Sequence, residues 1–169
     1  RLGVNTAFIG CVGNDRIGAQ GREWLKNAGV DIHFLFESDS LPTGVGFILL
    51  NKKGIPAMVT SRGANNALDN HMVNDALISF KTPKILLTQF EIKPAVAIFA
   101  AGLAQQLGIT TIINPAPAAD IDLGDLAVAD ILVPNETEAK SLLGMNHENE
   151  VDGVDLAVEL KRKSGCKII

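Results

Sequence analysis

Residues 85–113, ILLTQFEIKPAVAIFAAGLAQQLGITTII, contain two short apolar runs on either side of a longer apolar segment that begins with proline. The runs Ile85–Thr88 and Thr110–Ile113 have the length and composition of buried β-strands. Pro94–Leu107 has the length of a helix, because proline is favoured in the first helical turn and Gly108 supplies a stop. A strand, a helix and a second strand in this order predict two parallel strands joined by a crossover helix.

The same alternation continues on both sides of this unit. Apolar strands that alternate with helices are typical of a parallel sheet that is covered by helices on both faces. The sequence therefore predicts an α/β protein with a parallel sheet flanked by helices. The other predicted strands are Thr6–Val12, Ile131–Val133 and the beginning of one at Cys166–Ile169, and the other predicted helices are Ile17–Ala28, Asp69–Phe80, Leu123–Ala129, Glu136–Leu143 and Val154–Lys163.

One segment breaks the alternation and holds three consecutive strand candidates without a helix between them. These are Asp31–Phe36, Thr43–Leu50 and Ile55–Ser61, with a hairpin turn at Asn51–Gly54. The middle candidate is apolar on both faces, so a flap would need cover on both sides, whereas the alternative is an antiparallel extension of the main sheet. The predicted division is an α/β core at 1–30 and 63–169, incomplete at both ends, with a small β-sheet lid inserted at 31–62.

Composition and charge exclude several classes of protein. The 169 residues are 47% hydrophobic, which excludes a disordered chain, and the net charge of −4 argues against a nucleic-acid partner. We expect no membrane partner and a cytoplasmic location, because no apolar stretch is long enough for a membrane span and no secretory signal opens the sequence. Cys11 and Cys166 lie in apolar stretches and are expected to be buried, reduced thiols. Both ends look cut, since Arg1-Leu2-Gly3 is typical of a helix end and Cys166–Ile169 of a strand that has just begun.

Polar residues follow three of the predicted strands at their carboxyl ends, where α/β sheets bind ligands. Asn135 and Glu138 follow one strand with the spacing of a capping box, and the alternative role for Glu138 is to hold water around Mg²⁺. Glu91 follows another strand, where it is either a sugar-hydroxyl acceptor or a solvated residue ahead of a helix. Asn114–Ala118 is a rigid, proline-rich loop after the third, and Gly63 indicates a close backbone approach or an unusual φ.

Taken together, these segments resemble the ribokinase branch of the PfkB carbohydrate kinase family. The resemblance covers essentially the whole chain, and although each motif alone is weak, their order and intervals match the family. The matching segments are Arg1-Leu2-Gly3, Gly13–Gly18 (GNDRIG), Thr43-Gly44-Val45, Gly63-Ala64-Asn65, Gln89-Phe90-Glu91, Asn114–Ala118 (NPAPA) and Pro134–Ala139 (PNETEA).

The resemblance implies a Rossmann-like, ribokinase-like α/β fold with a small β-sheet lid over the sugar. It also implies a homodimer formed through that lid. It implies that Glu91 binds sugar hydroxyls and that Ile48 and Thr60 pack over the sugar, although Thr60 replaces the apolar residue common at that position. Asn135 and Glu138 match the N-x-x-E motif, which in the family acts near the ATP phosphates and Mg²⁺. The resemblance therefore implies that Glu138 contacts Mg²⁺ through water.

The activity that the resemblance implies is transfer of the γ-phosphoryl group of ATP to the primary hydroxyl of a sugar, with ribose converted to ribose 5-phosphate as the leading case. The cofactors implied are ATP and Mg²⁺, with K⁺ as a monovalent cation in the full-length enzyme. The family's Gly-Gly sugar segment is expected before Arg1. The catalytic base, most of the adenine pocket and the cation loop are expected after Ile169, so no catalytic base is assigned here and the chain alone is expected to be inactive.

Three alternatives remain open from the sequence. The chain is a non-catalytic fragment that binds a sugar or a partner chain, or it is part of a PfkB-family kinase for fructose, a nucleoside or a deoxy sugar acid. The third is a different Rossmann-like protein in which every motif is a cap or a turn. A structure without a lid, or with Glu91 and Glu138 at opposite edges of the sheet, would favour that alternative.

Overall fold

The computed structural model describes residues 3–54 and 56–169. The chain divides into two compact units, of which the first ends at Ala76 and the second runs from Leu77 to Ile169. The boundary lies within the helix α2 (Asn70–Ser79). Each unit combines parallel strands with helices, as expected for an α/β protein.

The first unit begins with two parallel strands and the helix between them. β1 (Gly10–Gly13) pairs in parallel with β2 (Leu35–Ser38), and α1 (Arg16–Asn27) is the crossover helix. The predicted strand Thr6–Val12 is therefore shorter than expected, and its first half contributes an isolated bridge between Ala7 and Asp31.

The pairing of β2 differs from the predicted lid. The segment from residue 31 was expected to belong with the lid strands, but β2 pairs with β1 instead. Burial explains the difference, because Leu35 and Cys11 in this strand pair are 4% and 5% exposed, so the parallel pair forms part of a core. Antiparallel pairing is confined to the segment from Val45 onward, and the division of the chain into a core and a lid stays a prediction.

The antiparallel pair is a hairpin formed by β3 (Val45–Leu50) and β4 (Pro56–Ser61). Its register runs from Val45 opposite Ser61 to Leu50 opposite Pro56. The predicted start of the second strand at Ile55 lies outside the described residues, as do Arg1 and Leu2 of the predicted helix end. A short 3-10 helix, Gly63–Ala67, follows the hairpin.

The second unit is a three-stranded parallel sheet with helical cover. The strands occur in the order β5, β6, β7, and Ile168 extends the sheet by a parallel bridge to Ile131. The bounds of the elements agree closely with the sequence predictions. They are β5 (Ile85–Gln89), α3 (Pro94–Gln106), β6 (Thr110–Asn114), the 3-10 helix Leu123–Val128, β7 (Ile131–Leu132), α4 (Glu136–Leu142) and α5 (Gly153–Ser164).

Alanine-rich packing builds the core of this unit. α3 starts with Pro94 and packs against β5 and β6. Its inward side chains are small, so the helix backbone can approach the sheet closely. The buried cluster comprises Phe90, Ala97, Ala101, Ile113, Leu126, Ala129, Leu132, Ala139, Leu156, Leu160 and Cys166.

Within the second unit, the two faces of β5 differ in exposure. Ile85 and Leu87 are 61% and 69% exposed, whereas Thr88, on the opposite face, is buried. Successive side chains of a strand alternate between the faces, so the two exposed residues share one face. Ile113 and Leu132 belong to the buried cluster, so the helical cover of this unit lies on the other face.

Other expectations are met in part. Cys11 and Cys166 are buried free thiols, as predicted. Within α1, Ile17 and Trp24 are exposed, whereas Gly18 is buried. In the part of the chain that the model describes, no helix has the length and apolar character needed to cross a bilayer.

A polar junction joins the amino ends of β6 and β7. The Asp130 carboxylate accepts hydrogen bonds from the Thr111 amide at 2.8 Å and hydroxyl at 3.2 Å, and from the Lys167 ammonium. The Thr111 hydroxyl donates to the Val128 carbonyl at 2.8 Å. The hydrogen bond from Lys167, followed by that from the Thr111 amide, holds the pKa of the Asp130 carboxyl below its usual value.

Replacing Asp130 with alanine leaves the buried Thr111 amide without its acceptor, which typically costs about 1–3 kcal/mol. We expect the free energy of unfolding at neutral pH to fall by about this amount. The folded state lowers the pKa of this carboxyl, so the unfolded chain binds the proton first as the pH decreases. The stabilisation is therefore constant above the ordinary carboxyl pKa and disappears as the pH falls through the lowered value.

Urea unfolding of the wild type and of Asp130→Ala over a pH series measures this difference. Asp120→Ala is the control, because Asp120 is an exposed carboxylate on the connection between β6 and the 3-10 helix, away from this junction. A difference between wild type and Asp130→Ala that stays constant down to the most acidic sample would contradict the predicted linkage.

Candidate functional site

Parallel pairing brings the predicted polar segments of the second unit to one edge of its sheet. Gln89 at the end of β5 lies opposite Asn114 at the end of β6, and Ile113 lies opposite Leu132 in β7. The segments that follow these strands therefore leave the same, carboxyl edge of the sheet. Glu91 and Glu138 lie after the carboxyl ends of strands in this one sheet, so the opposite-edge arrangement that would favour the caps-and-turns alternative is not found.

The Asn135 segment forms the capping box that its spacing predicts. The Asn135 side-chain oxygen accepts from the Glu138 amide at 2.8 Å, and Glu138 Oε2 accepts from the Asn135 amide at 2.8 Å. Among the described residues, no donor is bonded to Glu138 Oε1. The carboxylate is half-buried and is held in place by its own helix terminus, and its second oxygen is left for a water molecule or ion.

Asn114 is a polar residue of this edge whose role the sequence did not single out. Its side-chain oxygen is buried and has no hydrogen-bond partner in the described part of the chain. Leaving a buried acceptor unpaired typically costs about 1–3 kcal/mol, so such an atom points to a donor that binds there. The signal available in the sequence was an asparagine at the last position of an apolar strand, next to a rigid loop.

The proline-rich loop does more than connect β6 to the next helix. Pro115 is fully buried, and the Ala116 carbonyl accepts a hydrogen bond from the Phe90 amide at 2.9 Å. This bond ties the loop after β6 to the segment after β5. Because Phe90 is also 0% exposed, the backbone beside Glu91 is fixed from two sides.

Glu91 itself is half-buried and makes no hydrogen bond or ion pair within the described chain. It precedes α3, whose first turn contains Pro94 and no side-chain cap. A carboxylate on a fixed backbone with both oxygens available can accept hydrogen bonds from neighbouring hydroxyl groups. The solvated-residue interpretation is equally compatible with its partial exposure, so its role stays a prediction.

The predicted lid residues share one face of the hairpin in the first unit. Ile48 lies opposite Met58, and Thr60 lies opposite Gly46. Directly paired residues point to the same side, and side chains alternate along each strand, so Ile48 and Thr60 are on the same face. Phe47, Leu49 and Val59 are on the other face, and all three are exposed.

Two cavities lie in the second unit. The smaller, of about 220 Å³, adjoins the capping box and is lined by Asn135, Glu136 and apolar residues of α5. Small-molecule pockets usually measure roughly 300–1,000 Å³, so this cavity alone is too small for a whole nucleotide. The larger, of about 390 Å³, lies along α5 and includes none of the predicted site residues.

Metal-binding capacity at this edge rests on single oxygen donors. In residues 3–54 and 56–169, no group of three or more His, Cys, Asp or Glu side chains is arranged to hold a metal ion. Mg²⁺ keeps several of its waters and needs one or two carboxylates, with oxygen donors around it. The free oxygen of Glu138 and the unpaired oxygen of Asn114 are donors of the type that suits this ion.

Comparison with known proteins gives one consistent result. The family model described as pfkB family carbohydrate kinase matches residues 1–168. A ribokinase of Haemophilus influenzae is 32% identical over 157 residues, which cover 93% of this chain and 51% of that protein. A ribokinase of Mus musculus is 31% identical over 170 residues, which cover 100% of this chain and 52% of that protein.

Solved structures show the same relationship. A ribokinase from Giardia lamblia superimposes with a TM-score of 0.81 at 25% identity, covering 96% of this chain and 50% of that one. The structure of Arabidopsis thaliana ribokinase complexed with ribose and ATP gives a TM-score of 0.74 at 26% identity. This superposition covers 94% of this chain and 52% of that one. The chain thus spans about half the length of the curated relatives that it matches.

The predicted ribokinase-like α/β fold is therefore confirmed. Three of the motifs that carried the resemblance, Gln89–Glu91, Asn114–Ala118 and Pro134–Ala139, lie at the carboxyl ends of neighbouring parallel strands. With the family model matched over nearly every residue, the chain belongs to the pfkB family of carbohydrate kinases.

Proposed function

We propose that the protein containing this chain transfers the γ-phosphoryl group of ATP to the primary hydroxyl of a sugar, with ribose as the substrate and ribose 5-phosphate as the product. The observation that carries the proposal is the presence of Glu91, Asn114 and Glu138 at one carboxyl edge of a parallel sheet, in a chain of the pfkB family. Ribose is favoured because the most similar curated relatives described above are ribokinases.

Sugar recognition is assigned to Glu91, with Ile48 and Thr60 from the hairpin. An ionised carboxylate accepts hydrogen bonds only, which suits a substrate whose polar groups are hydroxyls. Ile48 and Thr60 share a face of the hairpin, so they present one apolar and one hydroxyl-bearing side chain together. Fructose, a nucleoside or a deoxy sugar acid remain the competing substrates, because they also offer hydroxyl groups to such a face.

ATP and Mg²⁺ are assigned to the segment after β7 and to the end of β6. Asn135 and Glu138 stand at the N-terminus of α4, and Asn114 supplies a buried, unpaired acceptor beside them on the next strand. Bound Mg²⁺ neutralises negative charge on the phosphates in phosphoryl transfer. The role proposed for Glu138 is to orient water around that ion while its other oxygen keeps the helix cap closed. K⁺ is proposed as an additional cofactor of the full-length enzyme.

No residue of this chain is assigned as the catalytic base. Phosphoryl transfer depends mainly on positioning and on electrostatic stabilisation of the transferred group, and several loops usually supply these. The residues discussed here position the substrates. A chain that binds a sugar without turning over ATP is the competing proposal, and ribose binding without ADP release would favour it.

We also propose a homodimer formed through the hairpin. Phe47, Leu49 and Val59 form an apolar face on which Phe47 is 64% exposed. Exposed apolar faces of this kind commonly mark interaction surfaces. A second hairpin would offer the same side chains, as a two-fold symmetric contact requires.

The sugar assignment predicts the effect of Glu91→Gln in the full-length enzyme. Loss of the charged acceptor should weaken ribose binding by about tenfold or more, because a hydrogen bond to a charged group is worth about 1.5–3 kcal/mol. Ribose-dependent ADP release measures KM and kcat, and KM should rise. Lys93→Gln, an exposed neighbour on the same loop, is the control. An unchanged KM in Glu91→Gln would leave only the solvated-residue interpretation.

The metal assignment predicts that Glu138→Gln separates the two roles of this residue. Glutamine also serves in a capping box, so the thermal stability of the variant should stay close to that of the wild type. Turnover should slow and the Mg²⁺ concentration needed for half-maximal rate should rise, because a charged oxygen near the ion is lost. Glu150→Gln is the exposed control, and wild-type Mg²⁺ dependence in Glu138→Gln would restrict Glu138 to capping.

The dimer assignment predicts that Phe47→Lys or Leu49→Lys shifts the protein toward monomer, because a charge in an apolar contact must be desolvated. Analytical ultracentrifugation over a concentration series measures the shift. Asn27→Lys adds the same charge at an exposed position of α1 and should leave the dimer intact. Equal dimer fractions in all three variants and the wild type would rule out this face as the interface.

A further inference from the structure

The hairpin is exposed along almost its whole length. Every described residue of β3 and β4 except Val45 is exposed, including six large apolar side chains. The strands bond to each other through a six-pair register, which stiffens the hairpin internally but does not orient it. Its orientation within the first unit must therefore be fixed at its base.

The Asp15 carboxylate holds the segment that enters β3. Asp15 Oδ2 accepts from the Thr43 amide at 2.7 Å, and Asp15 Oδ1 accepts from the Thr43 hydroxyl at 2.7 Å and from the Gly18 amide at 2.8 Å. The Thr43 hydroxyl in turn accepts from the Gly13 amide at 2.9 Å. Asp15 is also the N-cap of α1, so one side chain links the end of β1, the start of α1 and the entry to β3.

The segment that leaves β4 crosses the segment that enters β3, and the two backbones are in direct contact. The Ala64 amide donates to the Pro42 carbonyl at 2.7 Å. Gly63 has φ +46°, and a Cβ on it would lie 2.3 Å from the Pro42 carbonyl oxygen. A Cβ on Gly44 would lie 2.6 Å from the Arg62 carbonyl oxygen. The two segments can approach this closely only because positions 44 and 63 are both glycine.

We propose that Asp15 and Thr43 are positioning residues that clamp the base of the hairpin and set its angle to β1 and α1. With the clamp released, the hairpin keeps its own ladder and pivots as a rigid flap about the glycine crossing at residues 44 and 63. The hydrogen bonds of Asp15 and Thr43 bear on the proposed function in one respect only, because the hairpin that they hold carries Ile48 and Thr60. The mechanical claim holds whether or not the hairpin covers a sugar.

The displacement of the hairpin turn depends on the length of the hairpin and on the angle through which it rotates. Six residues of strand extend about 20 Å, so a rotation of roughly 15° at the base moves the turn by about 5 Å. Carboxylate hydrogen bonds to an amide and a hydroxyl are charge-assisted and among the stronger ones, which suits them to restrain this rotation.

The test uses two nitroxide labels on the full-length protein, without sugar or nucleotide. Lys53→Cys places one label at the hairpin turn and Lys26→Cys places the other on α1, both at exposed positions, while Cys11 and Cys166 are buried. Pulsed dipolar spectroscopy then gives the distribution of distances between the labels. Thr43→Val removes the hydroxyl from a side chain of the same shape, and Thr43→Ser retains it.

We expect a narrow distribution in the labelled wild type and in Thr43→Ser, and a shift or broadening of about 5 Å in Thr43→Val. The thermal midpoint and the circular dichroism spectrum verify that each variant is folded. Should Thr43→Val fail to fold, Asp15→Asn decides, because asparagine retains one acceptor for the helix cap and loses the second acceptor for Thr43. An unchanged distribution in a folded Thr43→Val or Asp15→Asn overturns the proposal. Neither result depends on kinase activity, so failure here is distinct from failure of the proposed function.

Discussion

Parallel pairing of β5, β6 and β7 is the constraint on which the candidate site depends. Each of these strands is followed by a connection that must leave the carboxyl edge of the sheet, since the next strand begins again at the opposite edge. Residues separated by more than twenty positions along the chain, such as Glu91 and Asn114, thereby come to neighbouring strand ends. The polar junction between Asp130 and Thr111 supports this arrangement from the other edge, where it joins the amino ends of β6 and β7. The amino edge of this sheet therefore carries a stabilising hydrogen-bond junction, and the carboxyl edge carries the candidate functional residues.

The capping box shows how one carboxylate can serve both structure and chemistry. Bonding to a backbone amide uses one oxygen of Glu138 and fixes the side chain in a single conformation. A ligand that binds the other oxygen then meets a group that has already lost most of its rotational freedom, so less entropy is lost on binding. The structural and functional interpretations of the N-x-x-E spacing are therefore compatible. The unpaired oxygen of Asn114 follows the same logic, since its burial is unfavourable until a donor arrives.

Local signals in the sequence were sufficient for most elements of the fold. Pro94 and Gly108 marked the ends of α3, and the Asn135–Glu138 spacing predicted a real capping box. The errors concern partners that are distant in sequence. Asp31–Phe36 had the composition of a strand, but composition does not reveal that its neighbour would be β1 rather than the hairpin. Ile85 and Leu87 have the apolar pattern of a buried strand but are exposed, because the helices of the second unit pack on the other face of its sheet. Asn114 was missed because an unpaired acceptor is a property of the three-dimensional surroundings.

The hairpin poses a separate physical problem, because an isolated two-stranded sheet is at best marginally stable in water. Its six ladder pairs are internal, and large apolar side chains are exposed on both faces. Both faces carry three large apolar side chains, namely Ile48, Leu50 and Met58 on one and Phe47, Leu49 and Val59 on the other. They differ in that the first face also carries the Thr60 hydroxyl and Gly46. A face with a hydroxyl and a glycine leaves room for a small polar ligand, whereas a face of large apolar groups is best covered by protein. If a small ligand covers one face and protein covers the other, the hairpin must be held at a defined angle. A hairpin that pivots freely would align with neither of them. The hydrogen bonds of Asp15 at its base therefore matter for both faces at once.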